Sequence, residues 1–376
     1  MDRVTGAPGR SRARDLGITI GRLPTGPVNA ITDVAGVLVG HTTLIQGEGP
    51  LVVGRGPVRT GVTVIRAHAD ISGRDPVFAG SHVLNGNGEM TGLAWVEESG
   101  LLESPIAITN THSVGVVRDA LVGYAVARMS GAEDVWSLPV VAETWDGFLS
   151  DINGMHVRAE HVLAALEAAA SGPVVEGCVG GGTGMICHGF KGGIGTSSRV
   201  LPSQNGGWTL GVLVQANYGE RALLRVDGVP VGREIGPAEI PLPGLARTET
   251  GSIIVIIATN APLLPSQCRR LAQRATLGLA RAGGVGGNSS GDLFLAFSTA
   301  NRGLAAQTGP GDSIGVQMLP PEALTPLFEA VGEATEEAIV NALCAARTTT
   351  GIAGRTAHAL PLERLCAIMR HYQRLT

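Results

Sequence analysis

The sequence predicts a layered α/β domain, and three observations carry that expectation. Short runs rich in Val and Ile, the clearest at residues 252–258, stand between Gly and Pro punctuation and read as buried strands. Between them lie longer segments with apolar residues at helical spacing, such as Val162, Leu163, Leu166 and Ala169. No internal repeat or low-complexity linker divides the chain, so residues 16–376 read as one domain. The Arg-rich residues 1–15, which contain Gly and Pro, read as a flexible leader without the apolar region of a secretory signal.

Taken in order, residues 18–43 suggest short strands joined by turns at Pro24, Gly26, Pro27 and Gly36. A strand at 61–65 precedes a polar, glycine-rich loop at 84–92, the kind of segment that carries function more often than packing. A strand at 105–111 leads to a helix over 114–129 with Val117, Leu121 and Val126 in register. The strand at 139–142 runs into Glu143-Thr144-Trp145-Asp146-Gly147, and a helix follows over 158–170. Glycine-dense stretches at 177–185 and 191–199 come before a strand at 210–216 that ends in Asn217-Tyr218-Gly219. Pro265-Ser266 reads as the cap of a helix to residue 281, and the loop 283–292 feeds a strand at 293–297. A long helix over 321–346 closes the list.

Composition excludes several classes of function. Apolar residues make up 44% and charged ones 16%, which suits a core-rich globular chain and not a disordered one. The 55 glycines are about twice the ordinary share of roughly 7%, so many close backbone approaches are implied. A net charge of −4 with 3% aromatics offers neither the basic field nor the stacking surface of a nucleic-acid binder. No run reaches the roughly 18 apolar residues of a membrane span. Five scattered cysteines without a C-x-x-C pair read as buried free thiols in a reducing, cytoplasmic setting. Nine histidines show no metal-ligand spacing, and no cofactor is expected. Both nucleotide patterns fail where it matters: Met185 stands where a third glycine is needed, and Lys191, the only lysine, lies between Phe190 and Gly192. A Ser-His-Asp triad stays open, although no G-x-S-x-G elbow is present.

The remaining signals are polar residues at strand ends and in glycine loops. Gly251-Ser252 stands at the mouth of the strongest strand, inside the stretch 248–260. A serine that attacks the bond before it cuts the chain and acquires a free α-amine. That amine, with a pKa of about 7.7–8.0, can act as base for its own hydroxyl near neutrality. Asn85, Glu143, Asn217, Ser290 and Asp292 accompany it, and each taken singly also suits an ordinary turn or a solvated strand end.

Taken together, the segments Leu84-Asn85-Gly86-Asn87-Gly88-Glu89-Met90-Thr91-Gly92, Glu143-Thr144-Trp145-Asp146-Gly147, Gly180-Gly181-Gly182-Thr183-Gly184-Met185, Asn217-Tyr218-Gly219, Gly251-Ser252 and Asn288-Ser289-Ser290-Gly291-Asp292 resemble one family. It is the self-processing aminopeptidases typified by the L-aminopeptidase/D-Ala-esterase-amidase and the β-peptidyl aminopeptidases. The resemblance covers residues 15–375. It implies a four-layer αββα sandwich, similar in layers to N-terminal-nucleophile hydrolases but differently connected. It also implies self-cleavage between Gly251 and Ser252 into α (1–251) and β (252–376) chains, and a homo-oligomer of αβ units, with a tetramer favoured. Ser252 is then the nucleophile, Asn217 an oxyanion donor, and Ser290 with Asp292 the pair that orients Ser252 and handles protons. Glu143 holds the ammonium of a small peptide or amino-acyl amide substrate. One departure is Trp145, where the family's aminopeptidase prototype has a tyrosine; indole N–H only donates, and the second oxyanion donor and the pocket size change with it. Two alternatives remain at this stage: an acyltransferase of the ornithine acetyltransferase type, which uses a threonine nucleophile, and a non-catalytic binding protein.

Overall fold

The computed structural model describes residues 10–69, 75–128, 135–244, 251–304 and 311–375. In chain order the strands are β1 (Leu38–Gln46), β2 (Val58–Arg66), β3 (Val77–Gly86), β4 (Leu101–Leu102), β5 (Ile106–Asn110), β6 (Val140–Thr144), β7 (Ile186–Cys187), β8 (Phe190–Lys191), β9 (Gly193–Val200), β10 (Thr209–Asn217), β11 (Ser252–Thr259), β12 (Gly291–Ser298), β13 (Thr349–Thr350) and β14 (Thr356–Ala357). The helices are α1 (Leu93–Ser99), α2 (Val114–Arg128), α3 (Ala159–Glu167), α4 (Val231–Glu234), α5 (Pro265–Arg281), α6 (Thr325–Ala345) and α7 (Leu362–His371). A four-stranded sheet runs β1-β2-β5-β6, and a six-stranded one runs β4-β3-β12-β11-β10-β9.

The continuous apolar run of β11 follows from its place between two cores. Ile253, Val255 and Ile257 pack into a cluster with Leu271, Ala275, Val331 and Ala338 of α5 and α6. Ile254, Ile256 and Ala258 pack on the opposite face with Ile106, Ile108, Val140 and Ala142 of the four-stranded sheet. That sheet's outer face, including Val64, Ala107 and Val141, meets Val117, Leu121, Val162 and Leu166 of α2 and α3. The layers are therefore helix, sheet, sheet, helix, and a strand covered on both faces has no reason to alternate. No helix among the described residues is long and apolar enough to cross a membrane.

Several expectations shift. Residues 1–9 of the leader lie outside the described residues, but its remainder is docked. Arg12 pairs with buried Glu176 at 2.7 Å, Ala13 is fully buried, and Arg14 pairs with Glu337 at 2.8 Å. Within 18–43 a regular strand starts only at Leu38; the preceding segment holds a 3-10 turn, Ile31–Asp33. Met129, at the end of the expected second helix, also lies outside the described residues. The helix α3 stops at Glu167 because Ala170 leaves it to bridge Val39. At α5 the cap is Leu264, not Ser266: Pro265 takes the first helical position and Gln267 Oε1 accepts the Leu264 N–H at 3.0 Å. The last long helix opens with a 3-10 turn, Pro321–Leu324, before α6.

Candidate active site

The strand ends that carry the polar residues meet at one end of the sandwich. Asn217, the last residue of β10, pairs antiparallel with Ser252, the first of β11. Ser252 pairs in parallel register with Gly291, the first of β12, and on the far side Gly291 and Asp292 pair with Gly86 and Asn85 of β3. On the facing sheet, β6 ends at Glu143-Thr144 beside Thr109 and Asn110 of β5. A cavity of about 1160 Å³ opens here, lined among others by Gly88, Glu143, Trp145, Asn217, Gly251 and Ser252. Of the stretch 248–260, Thr248, Glu249 and Thr250 lie outside the described residues.

Gly251 and Ser252 share one donor. The Gly291 N–H points to Ser252 Oγ at 3.2 Å and to the Gly251 carbonyl oxygen at 3.3 Å. Only glycine fits at 251, since a Cβ there would stand 2.4 Å from the Asn217 carbonyl oxygen. Next to Gly291 in the chain, Ser290 donates its hydroxyl to Asp292 Oδ1 at 2.6 Å, and Asn85 Nδ2 donates to Asp292 Oδ2 at 3.0 Å. Burial raises the Asp292 carboxyl above the ordinary carboxylate range, against the opposing hydrogen bonds from Ser290 and Asn85. Both Ser290 and Asp292 were expected in a loop; Asp292 instead belongs to β12, and both are buried. Gly291 and Asp292 pair with β3 and Gly291 pairs with Ser252 of β11, and a Cβ at Gly291 would stand 2.5 Å from the Asn87 carbonyl oxygen, so a glycine lets the strand start this close to the neighbouring backbone.

Asn217 is oriented from both ends of its amide. Its Oδ1 accepts the Ile186 N–H at 2.8 Å, and its Nδ2 donates to the Trp145 carbonyl at 3.0 Å, leaving one N–H uncommitted. Behind Ile186 stands Lys191, fully buried, whose ammonium donates to the carbonyls of Gly182, Met185 and Gly192 at 3.2, 2.8 and 2.8 Å. The sole lysine thus braces the turn that holds Asn217. Trp145 lines the cavity with 46% of its surface exposed.

Glu143 is 3% exposed and faces the cavity without a salt-bridge partner among the described residues. Its Oε1 accepts the Glu89 N–H at 3.0 Å and its Oε2 the Thr111 hydroxyl. Burial raises its pKa against those two bonds, so the solvated strand end is ruled out at this position. Thr111 was not among the candidates, and its place directly after β5 was the available signal. Gly291 was also missed, since a backbone N–H leaves no trace in residue type. No histidine hydrogen-bonds Ser252 or Asp292 among the described residues, and no group of three or more His, Cys, Asp or Glu there could hold a metal ion.

The peptidase family S58 model matches residues 29–357. Beta-peptidyl aminopeptidase BapA of Sphingosinicella microcystinivorans is 53% identical over 375 residues, covering 97% of this chain and 93% of that protein. The protein of the same name from Sphingosinicella xenopeptidilytica is 45% identical over 369 residues, covering 96% and 91%. Among solved structures, a Burkholderia sp. beta-aminopeptidase superposes with a TM-score of 0.89 at 54% identity, covering 96% of this chain and 99% of its own. The L-aminopeptidase D-Ala-esterase/amidase of Ochrobactrum anthropi superposes at 0.88 with 46% identity, covering 97% and 99%. That structure is described as a prototype for the serine aminopeptidases and a new variant among the Ntn hydrolase fold. The chain belongs to peptidase family S58 and is an aminopeptidase.

Proposed function

We propose that Ser252 is the nucleophile of this aminopeptidase, first on its own chain and then on substrate. The observation that carries this reading is the Gly291 N–H shared between Ser252 Oγ and the Gly251 carbonyl oxygen. A hydroxyl beside the carbonyl it attacks, with a donor aimed at that oxygen, is the arrangement an acyl shift needs. Ser252 Oγ adds to the Gly251 carbonyl carbon, the C–N bond breaks, and the nitrogen keeps its proton and gains one from the hydroxyl. Water then opens the resulting ester, leaving a Gly251 carboxylate and a free Ser252 amine. In turnover the same oxygen attacks the carbonyl of the substrate's first residue, the leaving amine departs, and water releases the amino acid.

Supporting roles follow from the same geometry. The uncommitted Asn217 N–H supplies the oxyanion donor, and Ser290 with Asp292 moves the proton beside the Ser252 amine. Glu143 receives the substrate's ammonium, which would supply the cation this buried carboxylate lacks. With relatives named for β-peptides at 53% and 54% identity, the substrate class we assign is short peptides or amides beginning with a β-amino residue. The S58 match supports neither an acyltransferase nor a binding protein without activity. A cytoplasmic setting suits the free thiols Cys178, Cys187, Cys268, Cys344 and Cys366, and a homo-oligomer of αβ units is checked by sedimentation velocity.

The test is Ser252→Ala. It should yield a single uncut chain without activity on β-alanyl p-nitroanilide, and an uncut yet active variant overturns the reading.

A further inference from the structure

Lys191 is fully buried, and among the described residues its ammonium bonds to carbonyl oxygens and to no carboxylate. Three acceptors at 3.2, 2.8 and 2.8 Å call for three donors, which only the charged form carries. Burial acts against that charge, while the neighbouring Cys178, Cys187 and Asp146 side chains favour it. Enclosing a cation without a bonded anion works against the fold. A neutral donor could close this turn without that burden, so the charge calls for a second reason.

The Met185 carbonyl supplies one. It accepts the Gly192 N–H at 2.9 Å as well as the ammonium, so both its lone pairs are engaged. The N–H of the same peptide unit belongs to Ile186, and it donates to Asn217 Oδ1 at 2.8 Å. Asn217 in turn keeps one N–H uncommitted at the cavity, on the strand end that pairs with Ser252. Two amide groups in series therefore join the ammonium to the oxyanion donor. Each amide is conjugated. Positive charge at its oxygen draws electrons from its nitrogen, and its N–H becomes a stronger donor.

We infer that Lys191 is a positioning residue for the aminopeptidase reaction: through the Met185–Ile186 peptide, its ammonium fixes and polarises the Asn217 carboxamide that meets the oxyanion. This rests on the oxyanion role proposed above for Asn217. A polarised donor gains most when the substrate oxygen carries a full negative charge, in the transition state and not in the bound substrate. Lys191, enclosed behind Ile186, touches no substrate. Its loss should therefore appear in kcat and leave KM nearly unchanged. Self-cleavage draws on a different donor, the Gly291 N–H at the Gly251 oxygen, and should proceed without it.

The experiment is a double-mutant cycle on β-alanyl p-nitroanilide, with Lys191→Met, Asn217→Ala and the double variant as mature proteins. Asn217→Ala alone should lose about 10²–10³-fold in kcat, as removal of an oxyanion donor does. Lys191→Met alone should lose about tenfold in kcat, with KM within about twofold of wild type, the scale of coupling within one hydrogen-bond network. Beside Asn217→Ala it should lose at most about a further twofold, because the group it acts through is gone. Losses that multiply in the double variant overturn the inference and make Lys191 a fold residue. Wild-type kcat in Lys191→Met, or a loss confined to KM, overturns it too. Should Lys191→Met fail to mature, Lys191→Gln takes its place in the cycle, since it keeps a donor and removes the charge. Full kcat in Lys191→Gln, or multiplied losses beside Asn217→Ala, counts against the inference equally. The oxyanion role of Asn217 fails separately, if Asn217→Ala alone keeps the wild-type kcat.

Discussion

Ser290 donates to Asp292 Oδ1 at 2.6 Å while Asn85 holds the other carboxylate oxygen at 3.0 Å, one strand away from Ser252. A carboxylate so enclosed loses water on both oxygens. The dominant effect is the raised pKa from burial, which the two hydrogen bonds reduce but do not cancel. Holding that charge works against the fold, and a proton-handling role gives a reason to keep it.

Asp292→Asn should therefore separate rate from stability. Turnover should fall by about 10²–10⁴-fold, the usual contribution of a positioned acid or base. The sign of the stability effect follows from the raised folded-state pKa. The contribution of this carboxyl is fully present below its unfolded pKa and is lost as pH rises through the folded one. The variant does not titrate there, so its Tm should gain on wild type as pH rises through that window. A variant that melts lower at every pH and keeps its rate would make Asp292 a fold residue.

Gly251→Ala should slow self-cleavage. The new Cβ would meet the Asn217 carbonyl oxygen at 2.4 Å and Tyr218 Cα at 2.6 Å, both backbone atoms at and just past the end of β10, so the residue must swing away. Its carbonyl then leaves the Gly291 N–H. A gel time course of the freshly purified variant should show the intact chain persisting well after wild type is processed. Equal rates would mean that the shared donor has no part in the cut.

The end of the sandwich was more legible in the sequence than the sheet behind it. β11 and β12 were readable because a strand buried on both faces is an apolar run. β3 went unread because its glycines and polar residues dilute the pattern. Gly80 is there to let α5 approach, where a Cβ would stand 2.4 Å from Arg269 N. β9 went unread for the opposite reason: Thr196, Ser197, Ser198 and Arg199 are polar yet fully enclosed. Their partners lie far away in sequence, such as Glu176 for the Thr196 N–H and the Ala334 carbonyl for the Ser197 hydroxyl. Of the site, side-chain donors and acids could be named in advance. The Gly291 N–H and the Thr111 hydroxyl could not, since their importance comes from register and not from residue type.

Glu143→Gln should discriminate by the amine. A charge-assisted hydrogen bond to the ammonium is worth about 1.5–3 kcal/mol, and the amide side chain gives most of that up. Free-amine substrates should lose kcat/KM accordingly, while N-acetylated ones, already poor, should change little. Equal losses for both would assign Glu143 to the fold.

Arg199 tests the core of the fold. It is fully buried and pairs with Glu333 at 2.9 Å and Glu337 at 2.8 Å. Arg199→Met should cost about 3–5 kcal/mol by leaving buried carboxylates short of a cation. Burial tends to raise the Glu337 pKa, but Arg199 and Arg14 outweigh it and hold the group below its ordinary value. That stability is present above the unfolded pKa and is lost as pH falls through the folded one, so the gap between variant and wild type should close in acid. Chemical denaturation at pH 7 and in the acid range reads this directly. A gap that is constant with pH would assign the loss to packing alone.

On the mechanism proposed, Ser252 becomes the first residue of a second chain. Intact mass and N-terminal sequencing of active, denatured protein test it most directly. Two fragments are expected, residues 1–251 and 252–376, the second beginning Ser252-Ile253-Ile254. Fully active protein that yields only the intact chain, with one N-terminus, would contradict it.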